Sequence, residues 1–262
     1  MIRIGLAITV CLAAVGSAPA NVVTFDDLAA GSHFGDPEYA PGDGIFAEDG
    51  IAVSVEEYRW SPGQWAFHGP VEIVPVGGAD QCGLSYFGQA HLAQLSNISI
   101  ELDFTGLGFD VNYVSFEYAN CGGSENIGVN GGYVWYQAIF LAPADIAPGV
   151  TLSTREILSD GQWTGCWHAE LRGPVENLRL GGQEFIIDNI VALPCEIEGD
   201  IDRDGDVDVH DLAELLANYK TADWVWPREG DVDGDADVDI SDLGALLANY
   251  GEACDGSGPR GR

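Results

Sequence analysis

The sequence predicts two folds in tandem. An all-β, jelly-roll-like sandwich is expected over residues 21–193 and a small all-α module over residues 199–255. Three observations predict this. Apolar residues before Pro194 recur with period two, glycine-rich turn signals separate those runs, and after Cys195 a helical period appears inside an internal repeat.

The first element is a leader. Arg3 gives residues 1–20 a positive start, Ile4 to Val15 an apolar stretch and Ala18-Pro19-Ala20 a small-residue cleavage site. This is the pattern of a secretory signal peptide cut before Asn21, because the apolar run is shorter than the ~20 residues a membrane-spanning helix needs. The chain is therefore expected to be secreted, and either extracellular or held at the cell surface.

The sandwich follows. In Asn97–Phe104, Ile98, Ile100, Leu102 and Phe104 share one face, and Ser99, Glu101 and Asp103 the other. Val114, Phe116 and Tyr118 repeat the pattern, as do Val53 and Val55, and Val134, Tyr136, Ala138 and Phe140. Side chains of a strand alternate between its two faces, so each run reads as a half-buried strand. Turn signals recur between them, among them Glu48-Asp49-Gly50, Asn130-Gly131-Gly132 and Gly181-Gly182.

Composition excludes several functions. The 262 residues carry 42 Asp and Glu against 10 Lys and Arg, a formal net charge of −32. That charge repels phosphate backbones and anionic lipid, so neither nucleic-acid binding nor membrane insertion is expected. Hydrophobic content of 46% is that of a folded protein.

Export permits disulfides. Without Cys11 five cysteines are left. Cys195 and Cys254 bracket the C-terminal region and are expected to join its ends. Any pair among Cys82, Cys121 and Cys166 would bridge the sandwich; spacing does not choose. None has C-x-x-C spacing of the zinc type.

Residues 194–198 read as a short linker and 256–262 as a disordered tail. Between them, Gly199–Lys220 and Gly230–Gly251 align without gaps at an offset of 31 residues and match at 14 of 22 positions. Each copy is a 12-residue loop followed by an amphipathic helix. Asp200, Asp202, Asp204, Asp206, Asp208 and Asp211 occupy positions 1, 3, 5, 7, 9 and 12 of the first loop; Asp231, Asp233, Asp235, Asp237, Asp239 and Asp242 do so in the second. This is the ligand spacing of an EF-hand loop, which wraps six to eight oxygens at roughly 2.3–2.6 Å around a calcium ion. Two ions are expected, with position 7 contributing its backbone carbonyl. Six clustered carboxylates need such a counter-ion. Val207 and Val238 at position 8 are expected to pair the loops with each other. Position 6 demands a sharp turn, which suits Gly205 better than Ala236 and predicts a weaker second site or an altered turn. Leu212, Leu215, Leu216 and Tyr219, and Leu243, Leu246, Leu247 and Tyr250, form the apolar helix faces. Trp224 and Trp226, between the repeats, are expected to cover the module's own core.

These segments resemble a type I dockerin, the calcium-dependent module that docks polysaccharide-degrading proteins onto cohesin domains. The resemblance covers roughly residues 198–255. It implies near two-fold packing of the repeats, metal ligation by the aspartates above, and a cohesin-like partner touching positions 10 and 11: Val209 and His210, Ile240 and Ser241. The family often carries small hydroxyl residues there; only Ser241 fits.

The first domain is similar to secreted bacterial β-sandwich domains whose first and last strands lie together, on the strength of residues 21–28, GIFAEDGIAVSV at 44–55 and GGQEFIIDNIVAL at 181–193. It shows no nucleophile-elbow or zinc-protease motif, so no catalytic residue is assigned. Glu56, Glu57, Glu117 and Glu170 are expected to be exposed acids. Trp60 and Trp65, in a Ser-Pro-Gly-Gln loop context, are the candidate sugar-stacking residues, and a polysaccharide is a candidate partner. The preferred reading is a secreted, non-catalytic protein with a carbohydrate-binding sandwich and a calcium-dependent docking module. The alternative is a small hydrolase of O-glycosyl bonds carrying the same module.

Overall fold

The computed structural model describes residues 21–61, 63–75, 90–121, 123–136, 143–159, 164–222 and 225–254. The signal peptide, Cys82, Trp163, Trp224 and the 256–262 tail lie outside them. The strands are β1 (Asn21–Val23), β2 (His33–Gly35), β3 (Gly44–Glu48), β4 (Ile51–Glu56), β5 (Tyr58–Ser61), β6 (Gln64–Ala66), β7 (Pro70–Pro75), β8 (His91–Leu95), β9 (Ile98–Asp103), β10 (Tyr113–Cys121), β11 (Glu125–Val129), β12 (Trp135–Tyr136), β13 (Ala144–Ala147), β14 (Val150–Ser159), β15 (Thr164–Arg172), β16 (Asn177–Gly182) and β17 (Phe185–Leu193). Two helices follow, α1 (Val209–Ala217) and α2 (Ile240–Ala248).

The chain is predominantly β. One sheet runs β13-β14-β15-β10-β17-β8-β7-β2, with β1 also paired to β17; the other runs β12-β11-β16-β9-β4-β3. All pairings are antiparallel, and Asn21 lies opposite Ala192, so the first and last strands meet as expected. The inward faces of both sheets, including Ile98, Ile100, Leu102, Val114, Phe116, Tyr118 and Ile187, form one core. Local chemistry sets the turns. Asp49 and Gly50 both take positive φ, the geometry of a two-residue hairpin whose twist matches its strands, and they join β3 to β4.

The outer face of the larger sheet is solvated only in part. Alternation along β10 assigns Ser115 and Glu117 to solvent, yet both are fully buried. The C-terminal module lies over them. Arg228 Nε donates to Glu117 Oε1 at 2.7 Å, Asn189 Nδ2 to Glu117 Oε2 at 2.9 Å and Arg203 Nη1 to Ser115 Oγ at 3.1 Å. Trp226 packs with Leu92, Ala119, Cys166 and Ile186 of the sheet. Trp226 therefore caps the sandwich's outer face rather than the module's own core, and Glu117 is a buried ion-paired group rather than an exposed acid. The linker is also fastened, because Arg172 holds Glu196 through two bonds of 2.6 Å.

The module is built by exchange between its repeats. Val207 N donates to Glu252 O and Gly251 N to Val207 O, while Lys220 N donates to Val238 O and Val238 N to Thr221 O. Each position-8 valine thus pairs with the segment after the other repeat's helix, not with its counterpart valine. Gly199 and Gly230, both at positive φ, lie so near the other repeat's helix that an added Cβ would meet Leu246 Cα at 2.9 Å and Leu215 Cα at 3.1 Å. Ile201, Val207, Leu215, Val225, Val238 and Leu246 form the shared core. Cys195 and Cys254 are disulfide-bonded. Cys166 is a buried free thiol and Cys121 is in a disulfide.

Candidate metal loops and an aromatic cleft

The two loops share one hydrogen-bond plan. Asp211 Oδ1 accepts from Ile201 N at 2.6 Å and Asp202 N at 3.1 Å, and its Oδ2 from Asp208 N at 2.7 Å. Asp242 does the same with Val232, Asp233 and Asp239 at 2.7, 3.1 and 2.8 Å. Position 12 thereby ties the start of each loop to its end. Asp208 and Asp239 at position 9 also cap their helices, accepting from His210 N and Ser241 N at 2.6 Å. Negative charge at a helix N-terminus is favourable, so one residue closes the loop and starts the helix.

Positions 4 and 6 both need the left-handed region. Loop 1 places Arg203 and Gly205 there, at φ 60° and 92°; loop 2 places Gly234 and Ala236 there, at 80° and 74°. Ala236 keeps the turn unaltered, at a backbone cost of about 1 kcal/mol.

Carboxylate oxygens converge in both loops. Groups within 4.8 Å of one another are Asp200, Asp202 and Asp204; Asp206, Asp208 and Asp211; Asp231, Asp233 and Asp242; and Asp237, Asp239 and Asp242. Asp235 falls outside these groups. Burial, then the charge of Asp211, pushes the Asp200 carboxyl up to about 7 and Asp202 up to about 6. Burial raises Asp231 also, opposed by Arg155. Asp206 Oδ1 and Asp237 Oδ1, at position 7 in both loops, are buried without a hydrogen-bond partner. Such oxygens want a cation, and an all-oxygen set suits a hard divalent ion.

The helices are two-sided. Leu215 and Leu246 are buried in the core, with Leu212, Tyr219 and Leu243 packed beside them. Val209, Leu216, Ile240, Leu247 and Tyr250 are 50 to 65% exposed. His210 and Ser241 are exposed next to them. The apolar stripe read from sequence therefore divides into a core half and a surface half.

On the sandwich, β5–β6 folds as a hairpin over the smaller sheet. Asn126 of β11 pins it, accepting from Arg59 N and donating to Arg59 O. A cleft of about 290 Å³ lies there, lined by Arg59, Trp65, Glu101, Tyr133, Asn177 and Arg179, with Gly128, Gly131 and Gly132 leaving it open. Trp65 is 44% and Tyr133 60% exposed, and the Arg59 guanidinium lies 4.4 Å from the Tyr133 ring centre. Arg179 Nη2 bridges Glu101 at 2.9 Å and Glu56 at 3.3 Å. Trp60 lines an adjoining, shallow depression with Gln64, Ala66 and His68, and Trp65 borders both hollows. The sequence points to Trp65, and to Tyr133 as one of several aromatics that could stack on sugars, but not to Arg59; the Asn130-Gly131-Gly132 turn presents the aromatic at 133. Trp167 stacks on Tyr118 and is structural.

No family model, curated protein or solved structure matches the chain.

Proposed function

We propose that this chain is a secreted, non-catalytic protein in which a glycan-binding β-sandwich of jelly-roll type is attached to a cohesin-like partner through a calcium-dependent dockerin-type module. The observation that carries this reading is the twinned loop plan beside a surface strip of five large apolar side chains. A strip of that kind marks an interaction surface, and its members follow directly on the two loops whose carboxylates converge. When bound, calcium supplies the positive charge that lets those carboxylates stay together.

The chain's own residues do the rest. Asp211 and Asp242 set the helix starts, and the exchanged segments and crossed glycine contacts fix one helix against the other. Val209, Leu216, Ile240, Leu247 and Tyr250 then stand ready as a preformed apolar patch, with His210 and Ser241 as its polar edge. Preorganisation of this kind lowers the ordering cost of docking. In the cleft, Trp65 and Tyr133 offer ring faces to sugar C–H groups, and Arg179, Glu101 and Asn177 offer hydrogen bonds to hydroxyls. Glu101 is the only acid among the described lining residues and is held by Arg179, which does not favour the glycosidase alternative. Among the described residues no helix is long and apolar enough to cross a membrane.

The test is capture of a panel of cohesin domains by the mature chain, with calcium or with chelator. Calcium-dependent capture, lost in an Ile240→Asp, Leu247→Asp variant that still binds calcium, supports the reading. Capture indifferent to both refutes it. For the cleft, Trp65→Ala is expected to weaken binding to soluble polysaccharides at least tenfold, measured by affinity electrophoresis.

A further inference from the structure

The two loops differ in what approaches them from the sandwich. In loop 1 the arginine belongs to the loop: Arg203, at position 4, leaves it to bond Ser115 Oγ at 3.1 Å. In loop 2 the arginine comes from the sandwich. Arg155 on β14 reaches across, and its Nη1 lies 2.7 Å from Asp231 Oδ2, at position 1 of the loop. The Asp231 side chain is fully buried. Arg155 Nη2 is buried without a hydrogen-bond partner among the described residues, so Asp231 is the anchor of this guanidinium. Among the described residues no arginine or lysine lies within ion-pair reach of the loop 1 aspartates.

Loop 2 is shaped to admit it. A Cβ added to Gly234, at position 4, would lie 3.2 Å from Arg155 Nη1. The corresponding residue of loop 1 is Arg203, so the repeats differ where the foreign guanidinium enters. The load on the position-1 carboxylate differs too. Asp200 accepts from Asp204 N and Gly205 N, both at 3.1 Å. Asp231 accepts from Gly234 N at 2.8 Å, from Ala236 N at 3.2 Å and from Arg155 as well. A carboxylate has about four lone-pair directions, so Asp231 has fewer left for a metal.

We propose that Arg155 is a tethered counter-cation of the second loop, which holds that loop against the sandwich when calcium is absent and makes it the weaker of the two calcium sites. The inference rests on the calcium-loop reading above. A guanidinium neutralises part of the aspartate cluster without metal and repels a divalent ion arriving beside it, most strongly where burial limits screening. Arg155 is thus a positioning residue with two opposed effects. Both loops touch the sandwich, but without calcium only loop 2 keeps a cation on its carboxylates, so loop 2 is the better ordered of the two.

The opposition provides the test. Calcium binding to the full mature chain is followed by calorimetry, and melting in chelator by tryptophan fluorescence, for the native chain, Arg155→Met and Arg155→Lys. Arg155→Met is expected to tighten the weaker site about tenfold while lowering the metal-free melting temperature. A residue with a merely structural role would weaken both. Arg155→Lys, which keeps the charge, is expected to leave the affinity within about threefold of native. Should Arg155→Met be unfolded in chelator, Gly234→Asn, which crowds the guanidinium but accepts positive φ, replaces it with the same expected directions. Two ions bound with unchanged or weaker affinity in Arg155→Met or its substitute Gly234→Asn would overturn this inference alone. A native chain that binds no calcium would overturn the docking-module reading together with it.

Discussion

Loop 1 and loop 2 are near copies in sequence and hydrogen bonding, yet they occupy unlike surroundings. Loop 1 sends Arg203 outward to the sandwich; loop 2 receives Arg155 from it. Between them, Trp226 and Arg228 fasten the inter-repeat segment to the larger sheet's outer face. An internal repeat fixes what each copy can ligate, but the neighbouring domain decides how each copy behaves. The module is therefore a layer on the sandwich, with one side spent on β10, β14, β15 and β17 and the helix strip left free.

The comparison can be broken most severely at the two position-12 carboxylates. Asp211→Ala removes the acceptor of three backbone N–H groups in loop 1, and Asp242→Ala does so in loop 2. Each is expected to abolish one calcium site in calorimetry and leave the other. Asp211→Ala should disorder its loop more, because loop 2 retains the Arg155 tether; hydrogen exchange at residues 200–211 and 231–242 measures the contrast.

Next in size is the fastening between the loops. Arg228→Met leaves the buried Glu117 carboxylate without its ion pair and is expected to cost about 3–5 kcal/mol in urea unfolding. The double variant Glu117→Leu, Arg228→Met should recover most of that loss. Equal loss in both would show that the pair is not the anchor.

The pH response follows from the raised carboxyls. Asp200 moves up to about 7 in the folded state from the ordinary aspartate range near 4. A raised acid favours its protonated form in the fold, so metal-free stability is greatest below about pH 4 from this group and falls as pH rises to about 7. Calcium, which requires the charged form, should reverse that slope over the same window. The metal-free decline should be steeper for loop 1, since Arg155 opposes the shift at Asp231. Melting curves in chelator and in calcium between pH 4.5 and 7.5 check both signs. Glu125 gives a control within the sandwich. Burial pushes its carboxyl up to about 8, and both oxygens lack hydrogen-bond partners. Glu125→Gln should therefore stabilise the sandwich increasingly from pH 4 to 8, with no calcium dependence.

The smallest effect concerns position 6. Ala236→Gly relieves left-handed backbone strain in loop 2, and about 1 kcal/mol of tighter calcium binding is expected there by calorimetry. No change would mean that the strain is absorbed elsewhere.

Much of this arrangement is legible in residue order. Alternation finds β4, β9 and β10 because each has one face on the core, and the Asp-x-Asp spacing finds the loops because their carboxylates converge locally. The Cys195–Cys254 bridge is readable because the two residues bracket the module. What is not legible depends on contacts between distant segments. Alternation in β10 marks Glu117 as a surface acid, since nothing nearby in sequence announces that residues 226–228 will cover it. Trp226 and Leu216 look alike as core residues, and only the layer on the larger sheet buries the first while the second stays exposed. Position-8 valines suggest loop-to-loop pairing, but the segments after the helices reach them first. Arg155 carries no signal at all, being one cation on a strand far from the loops.

The central claim is that two unlike loops, one with its carboxylates unpaired by any arginine or lysine among the described residues and one with Arg155 of the sandwich on Asp231, each bind a divalent ion. Calorimetric titration of the mature chain with calcium tests it most directly. The account predicts two ions per chain bound in two separable steps, the weaker one moved by Arg155→Met alone. A single step of two identical sites unmoved by that change, or no binding heat at all, would contradict it.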